Sequence, residues 1–195
     1  MRIYAILAHP KKDSFSGRMF YAAVKSFQEH GATVDVLDLY DHVDHIPFYI
    51  PSIKTATTEL DRAKLDFFNE NKERFMAADR LFIVYPVYWY AVPGILKCWL
   101  DLITNFAWEY KSGDHYAKPL HKIQRAFVIN SASMSTWFRW LRTRNSASEM
   151  MKETFKFMGI NQFRFYEIGG TSKFSAHDIE EYIQTVCQKS LWLIR

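Results

Sequence analysis

Four segments carry residue types that could do chemistry. The densest is Tyr85-Pro86-Val87-Tyr88-Trp89-Tyr90-Ala91-Val92-Pro93-Gly94-Ile95-Leu96-Lys97-Cys98-Trp99. Tyr88, Trp89 and Tyr90 stand together between two prolines, where a loop gains nothing by exposing three aromatics. A flat aromatic ligand would explain the exposure. The second segment is His9-Pro10-Lys11-Lys12-Asp13-Ser14-Phe15-Ser16-Gly17. Hydroxyls and backbone N–H groups ahead of a helix make an anion site, which the helix dipole reinforces. Ser14, Ser16 and the His9 ring are the candidate donors, and Lys11 and Lys12 add positive potential. The loop reads equally well as a solvated connection with an ordinary Ser or Asp cap. It matches neither G-x-x-x-x-G-K nor G-x-G-x-x-G.

The third segment, Asn105-Phe106-Ala107-Trp108-Glu109-Tyr110, has an aromatic at every second position. If extended, it would put Phe106, Trp108 and Tyr110 on one face, as an apolar edge or as the wall of a ligand site. The fourth, Thr136 to Arg144, mixes Trp137, Phe138 and Trp140 with Arg139, Arg142 and Arg144. It could close over a ligand, clamp a dinucleotide phosphate or face a partner or membrane surface. It could equally be a helix entry whose arginine stems lie along apolar surface.

These segments need elements to hold them. Near-continuous apolar runs at 3–8, 80–85 and 125–130 read as buried strands, 33–39 as a strand with partial alternation and 163–168 as a fifth strand. Helical patterns fall at 17–30, with Gly31 as its cap, and at 59–78, capped by Thr57 or Thr58. Further helices are expected at 93–104, 146–158 and 178–193, and residues 40–55 and 105–123 read as irregular. Strict strand–helix alternation predicts a parallel sheet with helices on both faces. Ligands of such sheets bind beyond the carboxyl ends of the strands, which is where the first two segments fall.

Composition sets the frame. The 195 residues are 49% hydrophobic and 24% charged, so a single domain over 1–195 with a full core is expected and disorder is excluded. Aromatics reach 17%, which suits a ligand pocket or a subunit interface. A net charge of +4 admits anionic ligands but is too small to indicate nucleic acid. Cys98 and Cys187 lie far apart and match no metal spacing, so no metal is implied and reduced thiols in a cytoplasmic setting are expected. No apolar run is long enough to span a membrane, and Met1 leads directly into a strand without a secretory signal pattern.

Together the segments resemble the Flavodoxin-2 family, which holds NAD(P)H:quinone oxidoreductases of the DT-diaphorase type. The family's first-loop pattern matches His9…Ser14-Phe15-Ser16. Its signature [FY]-P-x-x-W-[FYW]-x-x-P-x-x-L-K-x-W matches Tyr85, Pro86, Trp89, Tyr90, Pro93, Leu96, Lys97 and Trp99, and its F-A-Y-like segment matches Phe106-Ala107-Trp108. The resemblance covers about residues 2 to 170. It implies a flavodoxin-like, doubly wound, five-stranded α/β sheet of order 2-1-3-4-5. It also implies a bound flavin, FAD or FMN, and NADH or NADPH as co-substrate. The implied activity is two-electron hydride reduction of a quinone-like acceptor by a ping-pong mechanism.

Carried over by position, the resemblance assigns flavin phosphate to His9, Ser14, Phe15 and Ser16. It lays Pro86, Val87, Tyr88, Trp89 and Tyr90 along the flavin ring. It places Asn130 and Ser131 at the loop after the fourth strand, and Tyr90, Trp108 and Tyr110 at the catalytic centre. Trp108 and Tyr110 would reach a partner's site across a homodimer. One departure stands out. The family usually has Thr-Thr-Gly-Gly after the fourth strand, and this chain has Asn130-Ser131-Ala132-Ser133, with no glycine to let backbone approach a ring. That departure and the Trp/Arg segment support an alternative, a flavin-binding ancillary subunit with a membrane-protein partner, such as a potassium efflux system.

Overall fold

A computed structural model of the chain describes residues 1–48, 57–109 and 118–195. Three apolar runs form its centre: β1 (Arg2–Leu7), β3 (Arg80–Pro86) and, further on, β6 (Arg125–Ala132). Their side chains alternate between two cores. Tyr4, Ile6, Leu81, Ile83, Ala126 and Val128 face one side, and Ile3, Ala5, Leu7, Phe82, Val84 and Phe127 face the other. A strand buried on both faces has no polar face to show, hence the unbroken apolar runs. Outer strands β2 (Thr33–Asp38) and β7 (Gln162–Gly169) are less buried and more polar.

The sheet is parallel throughout, in the order β2-β1-β3-β6-β7. Counting only these five strands, that is the expected 2-1-3-4-5 flavodoxin-like order. The helices α1 (Phe15–Glu29) and α6 (Ala176–Ser190) cover one face, through residues such as Met19, Phe20, Phe27 and Val186. On the other face lie α2 (Glu59–Ala77), α3 (Gly94–Thr104) and α5 (Ser146–Met158), through residues such as Phe75, Trp99 and Phe155. Thr58 caps α2 in a capping box with Asp61. Trp99 and Tyr4 both donate to Asn71 Oδ1, at 3.1 and 2.6 Å, so these two polar aromatics of the core are satisfied.

The structure corrects several expectations. Helix α1 begins at Phe15, not Gly17: Ser14 caps it and accepts from the Gly17 N–H at 3.1 Å. Glycine is a weak helix former, but here it is a steric need, because a Cβ at Gly17 would lie 2.1 Å from the Lys12 carbonyl oxygen. The Trp/Arg segment is itself a helix, α4 (Thr136–Thr143), joined to α5 by two left-handed residues, Arg144 and Asn145. The last helix stops at Ser190 and a 3-10 turn completes the chain to Leu193. Within 105–123, β4 (Trp108–Glu109) pairs antiparallel with β5 (Lys118–Pro119). Phe106 is not part of an exposed aromatic row; it is buried against Phe68 and Phe75. Tyr110 lies outside the described residues. Among the described residues no helix is long and apolar enough to cross a membrane.

Candidate functional site

Strand β1 continues leftward in the sheet through α1 to β2, whereas β3 continues rightward to β6. The resulting crevice lies outside the carboxyl ends of β1 and β3, the position where open α/β sheets take ligands. Two loops flank it.

The first runs from β1 to α1. The Lys11 N–H donates to His9 Nδ1 at 3.0 Å, and the Ser14 hydroxyl lies 2.9 Å from the same nitrogen. Nδ1 also lies 3.0 Å from the Lys11 carbonyl oxygen; in the tautomer in which it accepts, the ring proton sits on Nε2. Burial holds the His9 pKa below its ordinary value, favouring this neutral form. Ser14 and Gly17 use up the first cap bond, and Arg18 N–H donates to the Ser14 carbonyl. The N–H groups of Phe15 and Ser16 donate to no acceptor among the described residues, so the positive end of α1 keeps two free donors. The Phe15 ring turns toward the α6 side, where it packs edge-on against Phe174 and Tyr182.

The second loop follows β3. Pro86 is buried and ends the strand opposite Ser131. Tyr88 and Ala91 exchange two backbone hydrogen bonds, of 3.0 and 2.9 Å, around a two-residue turn. Trp89 and Tyr90 occupy that turn with φ of 48° and 64°, the left-handed region that bulky residues avoid. Each costs about 1–2 kcal/mol there, and such strain collects at functional sites. Trp89 is 94% exposed and Tyr88 42%. The Tyr90 carbonyl accepts from the Ser146 hydroxyl at 2.5 Å, which ties the turn to the start of α5.

Strand β6 locks the two loops together. The Ser131 carbonyl accepts from the Val87 N–H at 2.8 Å, and the Ser131 and Ser16 hydroxyls share a buried hydrogen bond of 2.9 Å. Beside this junction lies a cavity of about 210 Å3 lined by Val87, Trp89, Tyr90, Ala132, Ser133, Met134 and Arg139. Of the residues singled out from sequence, Val87, Trp89 and Tyr90 line it. Ser16 and Ser131 form its hinge, and His9 and Ser14 sit on the neighbouring loop. Asn130 is fully buried and is not part of this lining; it accepts from Arg139 Nη1 at 3.1 Å and donates to the Ser148 hydroxyl at 3.0 Å. Trp108 stands apart. It lines a separate cavity of about 1060 Å3 with Thr104, Asn105, Glu153 and Phe157, its ring edge-on to Phe157.

The sequence reading missed Ala132, Ser133, Met134 and Arg139 as cavity residues. Arg139 had a signal, an arginine among exposed-type aromatics, but nothing in the sequence shows which of three arginines turns inward. Glycine is absent after β6, and close backbone approach occurs elsewhere: a Cβ at Gly169 would lie 2.3 Å from the Thr136 nitrogen at the head of α4.

A family model described by its flavodoxin-like fold matches residues 1–190. The chain belongs to the Flavodoxin-2 family. Its signature residues Leu96 and Trp99 are core residues that seat α3 under the aromatic turn. Among relatives in the family, the chain is similar to the uncharacterised NAD(P)H oxidoreductase YcaK of Escherichia coli. The two are 25% identical over 82% of this chain and 79% of that one. It is 30% identical to rat NAD(P)H dehydrogenase [quinone] 1 over 56% of this chain and 46% of that protein. The chain thus spans about half the length of several curated relatives that it matches. Among solved structures, a Bacillus anthracis FMN-dependent NADH-azoreductase in complex with FMN superposes with a TM-score of 0.81. It is 21% identical and covers 100% of this chain and 99% of that one.

Proposed function

We propose that this chain binds a flavin, FMN, and uses it to reduce quinone-like acceptors with NADH or NADPH in a ping-pong cycle. The observation that carries this reading is the junction at Ser131. It fixes the free N–H groups of α1 and the Trp89–Tyr90 turn at one edge of the sheet, as a phosphate-and-ring ligand needs. The names of YcaK and of the rat quinone dehydrogenase support the nicotinamide and quinone chemistry, and the azoreductase neighbour supports FMN.

The residues fit the group. The N–H groups of Phe15 and Ser16 and His9 Nε2 form a donor set for phosphate, beside the Ser14 and Ser16 hydroxyls, which bond to His9 and Ser131. Val87, Trp89 and Tyr90 provide a wall for a planar ring. The cavity also holds buried guanidinium nitrogens with no partner among the described residues, which implies a polar ligand edge. Bound flavin would supply the electron-pair chemistry, while the protein orients ring and substrates and excludes water. The exposed face of Trp89 suits stacking by an entering nicotinamide or quinone. The site would be completed in a homodimer, with Trp108 and Tyr110 offered to the partner.

The test is direct. The purified protein should be yellow or take up FMN on titration, and should then oxidise NADH or NADPH when a soluble benzoquinone is present. A protein that binds neither FMN nor FAD would overturn the reading. A second reading is an ancillary flavin-binding subunit. It is favoured by the exposed face of α4, where Trp137, Trp140 and Leu141 are 67%, 59% and 63% exposed. Flavin uptake with negligible turnover on any quinone would favour it.

A further inference from the structure

We propose that Arg139 is a cofactor-binding residue whose guanidinium pairs, through its Nε and Nη2 edge, with the N1 and C2=O edge of the flavin ring and stabilises its reduced, anionic state. The inference rests on the flavin reading above and adds a residue to it.

Arg139 is only 3% exposed, yet it lines the cavity beside Val87, Trp89 and Tyr90. One nitrogen, Nη1, donates to Asn130 Oδ1 at 3.1 Å, while Nε and Nη2 are buried with no partner among the described residues. Leaving a buried charged donor unmet is among the costlier things a fold can do. The natural counter-ion, Glu167, is already engaged, accepting from Asn145 Nδ2 at 2.5 Å and from the Ser148 hydroxyl. Its field reaches the guanidinium, but none of its oxygens meets the free nitrogens within hydrogen-bond distance. Burial pulls the Arg139 pKa below its ordinary value, and an anion in the cavity would reverse that.

The orphaned atoms have a shape. Nε and Nη2 lie on one side of a planar group and present two parallel N–H bonds to two adjacent in-plane acceptors. A flavin ring offers such a pair at N1 and C2=O. Delivery of a hydride, one proton with two electrons, from NAD(P)H to the neutral oxidised ring leaves one net negative charge, which spreads over that edge unless solvent protonates N1. A fixed cation there favours the charged form. The chain also lacks glycine after β6, so a long side chain from α4 takes the place that close backbone would occupy. Gly169 makes this possible by letting the head of α4 pack directly against the end of β7.

The test compares wild type, Arg139→Met and Arg139→Lys, each loaded with FMN. For Arg139→Met the expected result is a loss of about tenfold or more in preference for reduced over oxidised FMN, since a hydrogen bond to a charged group is stronger than one to a neutral group. Tenfold reads as a two-electron midpoint potential lower by about 30 mV. Absorbance titration of the reduced protein should show protonation of the flavin at higher pH. Arg139→Lys keeps the charge but not the fork and should fall between the two. Apo Arg139→Met removes a buried, partly unmet cation but leaves Asn130 Oδ1 without its donor, so urea unfolding of the apo forms is measured alongside to establish that the variant folds. The proposal is overturned if potential and titration are unchanged in a folded variant, or if only the KM for NADPH moves. It is also overturned if Arg139→Met fails to fold while Arg139→Lys keeps the wild-type potential. Failure of the wild type to bind FMN overturns the flavin reading first, before any substitution is compared.

Discussion

Trp89 and Tyr90 hold backbone conformations that glycine would take without cost. Among the described residues, the Tyr88–Ala91 bonds and the Ser146–Tyr90 bond hold the turn against this strain. Tyr90→Gly should therefore raise apoprotein stability by up to about 1 kcal/mol, measured by urea unfolding, while weakening FMN binding. Trp89→Ala should weaken FMN several-fold, because aromatic stacking contributes about 0.5–1.5 kcal/mol beyond area. Unchanged affinity in a folded Trp89→Ala protein would move the ring elsewhere. His9 makes a pH prediction. Burial lowers its folded pKa from 6.5, as it does for His121. The unfolded chain then binds more protons just below that value, so stability present at neutral pH is lost as pH falls through about 6.5 toward the folded pKa. Asp38, its pKa raised by burial, acts with the opposite sign. Apoprotein unfolding at pH 7.5 and 5.5 should show a smaller acid loss in His9→Asn than in wild type; equal losses would remove His9 from the account.

Two element contacts set the site, and both need a missing Cβ. Helix α1 can start at Phe15 and keep its free N–H groups only because Gly17 lets the Lys12 carbonyl come close. Helix α4 can bring Arg139 inward only because Gly169 admits the Thr136 backbone. Overpacking of this kind typically costs about 1–3 kcal/mol. Gly17→Ala and Gly169→Ala should each destabilise by that order and weaken FMN binding, although neither side chain would line the cavity. The two should separate by potential: Gly169→Ala displaces the guanidinium and lowers the midpoint potential, whereas Gly17→Ala affects affinity alone. Calorimetric unfolding with potentiometry on both variants checks this.

Across the whole molecule, two cavities share no lining residue: the one at the aromatic turn and the one beside Trp108. A single chain therefore leaves Trp108 away from the candidate site. The proposed homodimer gives it a role by pairing the exposed surface around Trp108 and the half-exposed Phe157 with another copy. Trp108→Ala should raise the KM for a quinone and shift the monomer–dimer equilibrium toward monomer, with FMN affinity retained. Sedimentation at several concentrations alongside turnover decides it. A monomer with full activity would show that the site needs no second chain.

The sequence by itself determined the sheet. Central strands buried on both faces must be apolar at nearly every position, so β1, β3 and β6 were legible as runs, and their alternation with helical patterns indicated parallel pairing; the strand order came from the family resemblance of the loop motifs. The aromatic turn was legible too, because three consecutive large aromatics between prolines have no place in a solvated loop. The tertiary structure decided what the local pattern leaves open. Helix α4 has arginines and aromatics on every side, and only packing against β6 and β7 selects Arg139 to turn inward while Arg142 and Arg144 stay outside. Phe15 and Phe106 look like site aromatics by position, and only their neighbours across the fold show them to be packing residues. Residue type and spacing report chemistry and periodicity; which polar atom is left without a partner depends on groups far apart in the chain, such as Arg139, Asn130 and Glu167, and only folding brings those together.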